Sequence, residues 1–159
     1  MVGLGAPYWD QSARGAILGL TRTSMAAHIA RAALDAIAYQ VRDVYEAMQV
    51  EAACDLPVLH ADGGGSCNDK LMQFQADILG RSVVRSTCPD LSALGAAGLA
   101  GLAIGYWPSI ASLKYLVSAG DTFSPRIDDV ERARRYKGWL TAVGQARSAG
   151  ARKLTSSEK

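Results

Sequence analysis

A short apolar run, a glycine triplet and an amphipathic stretch follow one another without a gap in the middle of this chain. Together they restrict its fold more than any other feature. Val58-Leu59-His60-Ala61 reads as a β-strand, Asp62-Gly63-Gly64-Gly65-Ser66-Cys67 as a turn, and Lys70 to Leu79 as a helix closed by Gly80. Glycine reaches positive φ at little cost and lets another molecule come close to the backbone. Asn68 or Asp69 is placed to cap the helix by accepting hydrogen bonds from its first amides. A strand, turn and helix in this order can present backbone N–H groups and a helix N-terminus to an anion or a nucleotide. The same order also serves as a plain βα connection with no ligand.

Around this core the chain alternates. Gly3 to Ala13 is rich in Gly, Pro and aromatic residues and reads as an irregular loop, and Gly15 to Leu20 as a short strand or extended edge. From Ser24 to about Val50, Ile29, Ala33, Ile37, Val41, Val44 and Met48 recur at helical spacing, with Thr23 or Ser24 as the cap. Val83-Val84 begins a second strand, Ser92 to Gly105 a helix of Ala, Leu and Gly, and Asp128 to Ala149 a last amphipathic helix. Each glycine inside a helix costs roughly 1 kcal/mol relative to Ala, so several together call for a packing reason. The order predicts an α/β fold with a short parallel sheet, Val58–Ala61 beside Val83–Ser86, packed by several helices. Two or three strands are few for such a sheet, so the chain looks like part of a domain.

Composition removes several function classes. With 159 residues the chain is long enough for one domain with a real core. A net charge of +2 gives no argument for nucleic acid. The longest uncharged stretch, Leu91 to Ile110, contains four glycines and a proline and falls short of a membrane span. Three cysteines, Cys54, Cys67 and Cys88, with His28 and His60, lack metal-site spacing, and a reduced, cytoplasmic protein is the expectation. Cys67 in the turn is either a nucleophile or a small residue that fits, and no His–Asp pair stands beside it.

Several collinear stretches carry a resemblance. Gly3-Leu4-Gly5-Ala6-Pro7-Tyr8-Trp9-Asp10, Ala13-Arg14-Gly15-Ala16-Ile17 and Gly19-Leu20-Thr21-Arg22 open it. Asp62-Gly63-Gly64, Asn68, Leu71 to Gly80 and Ala93-Leu94-Gly95-Ala96-Ala97 continue it. Over about Gly3 to Ala146 the chain resembles the C-terminal domain of FGGY carbohydrate kinases, most of all the glycerol kinases. Gln11-Ser12 and Gly98 depart from the common pattern without disturbing the match.

The resemblance implies a partial actin-like, RNase H-like ATPase domain over residues 1–147, while the residues of 148–159 read by their own composition as a polar, disordered tail. The resemblance also implies ATP with Mg²⁺, and a nucleotide site at Asp62, Gly63, Gly64, Asn68 and Gly95. There Gly64 lies against the nucleotide, Asn68 touches the adenine end, and Gly95 lets a helix backbone come close. The family's phosphate-binding hairpin, its polyol contacts and its catalytic aspartate in a Gly-Asp-Gln context are expected to precede the matched region. No Gly-Asp-Gln occurs here, and Asp10, Asp62 and Asp77 do not occupy the base position, so no catalytic residue and no metal ligand is assigned. The reading is therefore the nucleotide-binding portion of a polyol or sugar kinase, inactive alone, and either completed by a separate N-terminal kinase half or simply truncated. A second reading is a non-catalytic assembly or regulatory module that forms homo-oligomers through an open sheet edge.

Overall fold

The computed structural model describes residues 3–88 and 90–156. Within the span expected as one domain the chain forms two compact units. One joins the residues up to Asp55 with those from Ile127 onward, and the other is Leu56–Arg126.

The second unit holds the sheet. Strand β1 (Val58–Ala61) pairs in parallel with β2 (Ser82–Ser86), Leu59 opposite Val83 and His60 opposite Val84. Parallel neighbours need a crossover, and helix α2 (Asp69–Leu79) supplies it. Its Leu71, Met72, Phe74, Ala76 and Ile78 are buried, and Ile78 and Val83 are the largest fully buried side chains. Gly80, in the left-handed region at φ 68°, ends α2 as the sequence indicates.

The expected parallel sheet is mixed. A third strand, β3 (Ala119–Phe123), joins antiparallel to β2, and the order β1-β2-β3 leaves β1 and β3 at the edges. Gly120 and Asp121 are poor strand formers, which hides β3 from propensity. Helix α3 (Leu91–Ala103) is capped by the Asp90 side chain, which accepts from the Ala93 amide at 3.1 Å. Its glycines have the packing reason the sequence asks for at two positions. A Cβ on Gly98 would lie 3.1 Å from Leu113, and one on Gly101 would lie 2.5 Å from the Trp107 ring. Leu113 belongs to a single helical turn, α4 (Ile110–Leu113).

In the first unit, α1 (Ala26–Ala52) is the expected long helix. Its cap is neither Thr23 nor Ser24. Met25 takes the N-cap position, and its backbone amide donates to His28 Nδ1 at 3.1 Å. Ser24 Oγ instead accepts from the Thr21 amide in the preceding turn. Gly15 to Leu20 forms no strand, because no described strand pairs with it, and Ile17, Leu18 and Leu20 are exposed.

The apolar stripe that predicts α1 is not its buried face. Ile29, Ile37, Val44 and Met48 are exposed, while Ala38, Asp43 and Tyr45 are buried. Asp43 accepts three hydrogen bonds. Tyr8 Oη donates to Oδ2 at 3.0 Å, Trp139 Nε1 to the same oxygen at 2.8 Å, and Tyr136 Oη to Oδ1 at 2.6 Å. Trp139 stacks on Tyr39 with centroids 5.4 Å apart, and the Arg42 guanidinium lies 3.7 Å above the Tyr136 ring. Tyr136 and Trp139 come from α5 (Asp129–Ser156), which continues past the expected end at Ala149 into the stretch read as tail. Residues 157–159 of that tail lie outside the described residues.

Two outcomes are expected from the Asp43 cluster. Replacing Asp43 with Ala strands three donors, and unfolding in urea should show a loss of at least about 2 kcal/mol. Burial, followed by the charge and hydrogen bond of Asp43, pushes the Tyr8 phenol up to about 12 from an ordinary 10.0, and raises Tyr136 for the same reasons. The folded state thus holds a proton that the unfolded chain releases. This contribution is full below pH 10 and fades as pH rises through about 12. The urea midpoint should fall across that window, and less steeply in Tyr8→Phe.

Candidate functional site

The end of β1 runs straight into the glycine turn. Gly63 adopts φ 83° and ψ 173°, a conformation essentially reserved for glycine, and it redirects the chain into a 3₁₀ turn over Gly64–Cys67. Ser66, which is buried, closes that turn on Gly63. Its amide donates to the Gly63 carbonyl at 3.0 Å and its hydroxyl donates to the same oxygen at 2.7 Å. The Asn68 amide donates to the Gly65 carbonyl at 3.2 Å.

Of the two candidate caps, Asn68 fills the role. Its Oδ1 accepts from the Lys70 and Leu71 amides at 3.0 and 3.1 Å. Asp69 instead receives Arg85, whose Nη1 donates to Asp69 Oδ1 at 2.6 Å and to the Ser66 carbonyl at 3.2 Å. Arg85 Nη2 donates to Asp121 of β3.

Gly64, Cys67, Asn68, Asp69 and Lys70 line an open depression of ≈ 480 Å³. Of the five residues marked in the sequence, it brings Gly64 and Asn68 together. Gly63 forms the bend behind them, and Asp62 is exposed just before it. Gly95 lies on α3, exposed and outside this lining. No atom is within 4 Å of a Cβ built on Gly64 or on Gly95.

Sequence reasoning missed Ser66 and Arg85. The available signal was the alternation of β2: Arg85 is two residues from buried Val83 and so shares its face, an unusual place for a guanidinium.

The local chemistry is selective. The Asn68 side chain already satisfies two amides of the first helical turn, and the Asp69 carboxylate sits beside them. Both oppose a phosphate at the helix start. A neutral, planar, hydrogen-bonding group is better matched. Because Oδ1 is committed to the helix, exposed Asn68 has its Nδ2 donor to offer a ligand. Among the described residues, no group of three or more His, Cys, Asp or Glu side chains is placed to hold a metal ion. Of the carboxylates beside the turn, Asp69 is already paired with Arg85.

A second cleft of ≈ 370 Å³ in the first unit is lined by Tyr8, Asp43, Glu46, Glu51 and Tyr136 among others. It contains none of the residues marked for a nucleotide. Its carboxylates at 43 and 46 are engaged by Tyr8, Tyr136, Trp139 and Arg42.

The sequence model of the FGGY family of carbohydrate kinases, C-terminal domain, matches residues 1–104. The chain belongs to this FGGY kinase family. The FGGY domain is 54% identical over 144 residues to a glycerol kinase of Pasteurella multocida, covering 91% of this chain and 29% of that protein. It is 50% identical over 141 residues to one of Lactobacillus delbrueckii, covering 89% and 28%. Among solved structures it is similar to Plasmodium falciparum glycerol kinase with ADP, at TM-score 0.78 and 34% identity, over 91% of this chain and 29% of the other. It is also similar to xylulose kinase from Lactobacillus acidophilus, at TM-score 0.69 and 26% identity, covering 92% and 29%. The FGGY domain thus spans under a third of the length of these relatives. No helix among its described residues is long and apolar enough to cross a membrane.

Local substitutions should separate turn geometry from open space. Gly63→Ala forces a side chain into its φ 83° conformation and should cost about 1–3 kcal/mol. Gly64→Ala meets no neighbour and should leave thermal unfolding unchanged. Asn68→Ala removes the cap of α2 and should cost about 1 kcal/mol in urea unfolding.

Proposed function

We propose that this chain supplies the adenosine side of the nucleotide site of an FGGY kinase. In that enzyme ATP transfers its γ-phosphoryl group to a hydroxyl of glycerol or a related polyol. The observation that carries the reading is the Gly63–Asn68 turn. Here Gly64 leaves open space beside the backbone, and Asn68 spends its oxygen on the helix while keeping an amide donor outward. Such a donor suits a ring nitrogen acceptor of adenine. The likeness to a glycerol kinase with ADP supports the same choice of ligand.

Roles then follow for the sequence-marked residues. Gly64 allows the nucleotide to approach the backbone, Asn68 contacts the base, and Asp62 and Gly63 shape the bend. Gly95 keeps the α3 backbone open to a ligand. Phosphoryl transfer needs a base for the attacking hydroxyl and charge stabilisation at the γ-phosphoryl. Both are assigned to a complementing N-terminal kinase portion, so this chain alone should bind nucleotide weakly and transfer no phosphate. The exposed apolar residues of α1 and α3, Ile29, Ile37, Met48 and Leu99, fit a chain that is covered by further kinase structure. A cytoplasmic setting, and ATP accompanied by Mg²⁺, belong to this same reading.

The kinase relationship does not favour the assembly-module alternative. Calorimetric titration of the chain with ADP and with Mg-ATP tests the proposal. We expect binding at roughly millimolar strength, about −4 kcal/mol, weakened by Asn68→Ala and by Gly64→Val. Gly64→Val should lose nucleotide without losing stability. Equal affinity in the wild type and in both variants would place the nucleotide elsewhere, and no binding at all would overturn the site.

A further inference from the structure

The irregularity of the sheet and the glycine turn meet at one side chain, Arg85. Between β2 and β3, Val84 pairs with Thr122 and Ser86 with Ala119, so Gly120 and Asp121 together oppose the single residue Arg85. This is a β-bulge, an extra residue that bends the strand and re-aims a side chain. Gly120 makes it possible, since a Cβ there would lie 2.8 Å from the Arg85 carbonyl oxygen. The re-aimed side chain is Asp121, which receives Arg85 Nη2.

The other arm of the same guanidinium holds the Ser66 carbonyl and the Asp69 carboxylate. Phe123 supports it from below, its ring centre 5.4 Å from the guanidinium carbon. Arg85 is the residue type suited to this work, because its planar fork bridges several acceptors in fixed geometry where an ammonium would act as a point charge. We infer that Arg85 is a positioning residue: it locks the Gly64–Asn68 turn to the β3 bulge and so sets the affinity of the site for the adenosine portion of a nucleotide. This rests on the reading of the turn as a nucleotide site. Arg85 acts through Ser66 and Asp69, with Asp121 as its anchor.

The test compares Arg85→Met, Arg85→Lys and Asp121→Asn with Thr122→Ala, an exposed change on β3 that leaves the guanidinium network intact. Three quantities are read on each full chain: amide hydrogen exchange at residues 64–68, ADP affinity by calorimetry, and thermal unfolding without ligand. In Arg85→Met and Asp121→Asn we expect exchange of the turn to accelerate, and ADP affinity to fall, by roughly tenfold or more. Arg85→Lys should recover only part of both, and Thr122→Ala should move neither. If Arg85→Met does not fold, Asp121→Asn carries the same comparison.

Wild-type exchange and wild-type ADP affinity in both Arg85→Met and Asp121→Asn would overturn the role of Arg85 while leaving the nucleotide site standing. So would a Thr122→Ala chain that loses as much of each. A wild-type chain that binds no ADP would sink the nucleotide reading. Exchange at 64–68 would then decide alone whether Arg85 holds the turn.

Discussion

A single buried carboxylate organises the first unit. Asp43 is only 3% exposed and faces three donors and no cation within its own hydrogen-bond set. A buried charge is costly unless hydrogen bonds satisfy it, and bonds to an ionised acceptor are stronger than neutral ones. Here they come from Tyr8 in the N-terminal loop and from Tyr136 and Trp139 on α5. The loop, α1 and α5 are therefore tied through one side chain. Among the described residues of this unit the buried apolar side chains are few (Ala13, Ala38, Tyr45 and Val143), and the polar cluster ties together what they leave apart.

The second unit is built the other way. Ile78, Val83, Phe74 and Leu71 form an apolar core between α2 and the sheet, and the polar network lies at its rim, around Arg85. The core fixes where α2 starts relative to β1, and the rim fixes the shape of the turn between them. That separation lets a glycine-rich segment be well defined without being buried. Only Ser66 of the turn is buried, and it points back to the Gly63 carbonyl.

The parts of this architecture legible in the sequence were those governed by local rules. The strand, the glycine turn, the Asn68 cap and the Gly80 stop each depend on residues within a few positions, and each is where its chemistry indicates. The parallel pairing of β1 and β2 follows from the crossover between them. What escaped the sequence depends on partners far along the chain. β3 contains Gly and Asp, and its place in the sheet comes with a bulge shaped around Arg85 rather than with propensity. The apolar stripe of α1 announced a helix but misreported its buried face, because within these residues the face that finds partners carries Asp43 and Tyr45. Glycines 98 and 101 had the packing role that the sequence asked for, but their neighbours, Leu113 and Trp107, could not be named from spacing.

The bulge in β3 also bears on which insertions and deletions this chain can tolerate. Removing one residue from Gly120–Asp121 would let β2 and β3 pair without interruption, and by backbone geometry alone the sheet would become more regular. Val84 with Thr122 and Ser86 with Ala119 already share their faces across the bulge, so the deletion would leave the flanking side chains where they are and set one residue, instead of two, opposite Arg85. Loss of Asp121 would take the acceptor from Arg85 Nη2, and loss of Gly120 would remove the bend that aims Asp121 at it. A shorter and tidier strand would be the wrong one, and in this part of the chain length is held as tightly as residue identity.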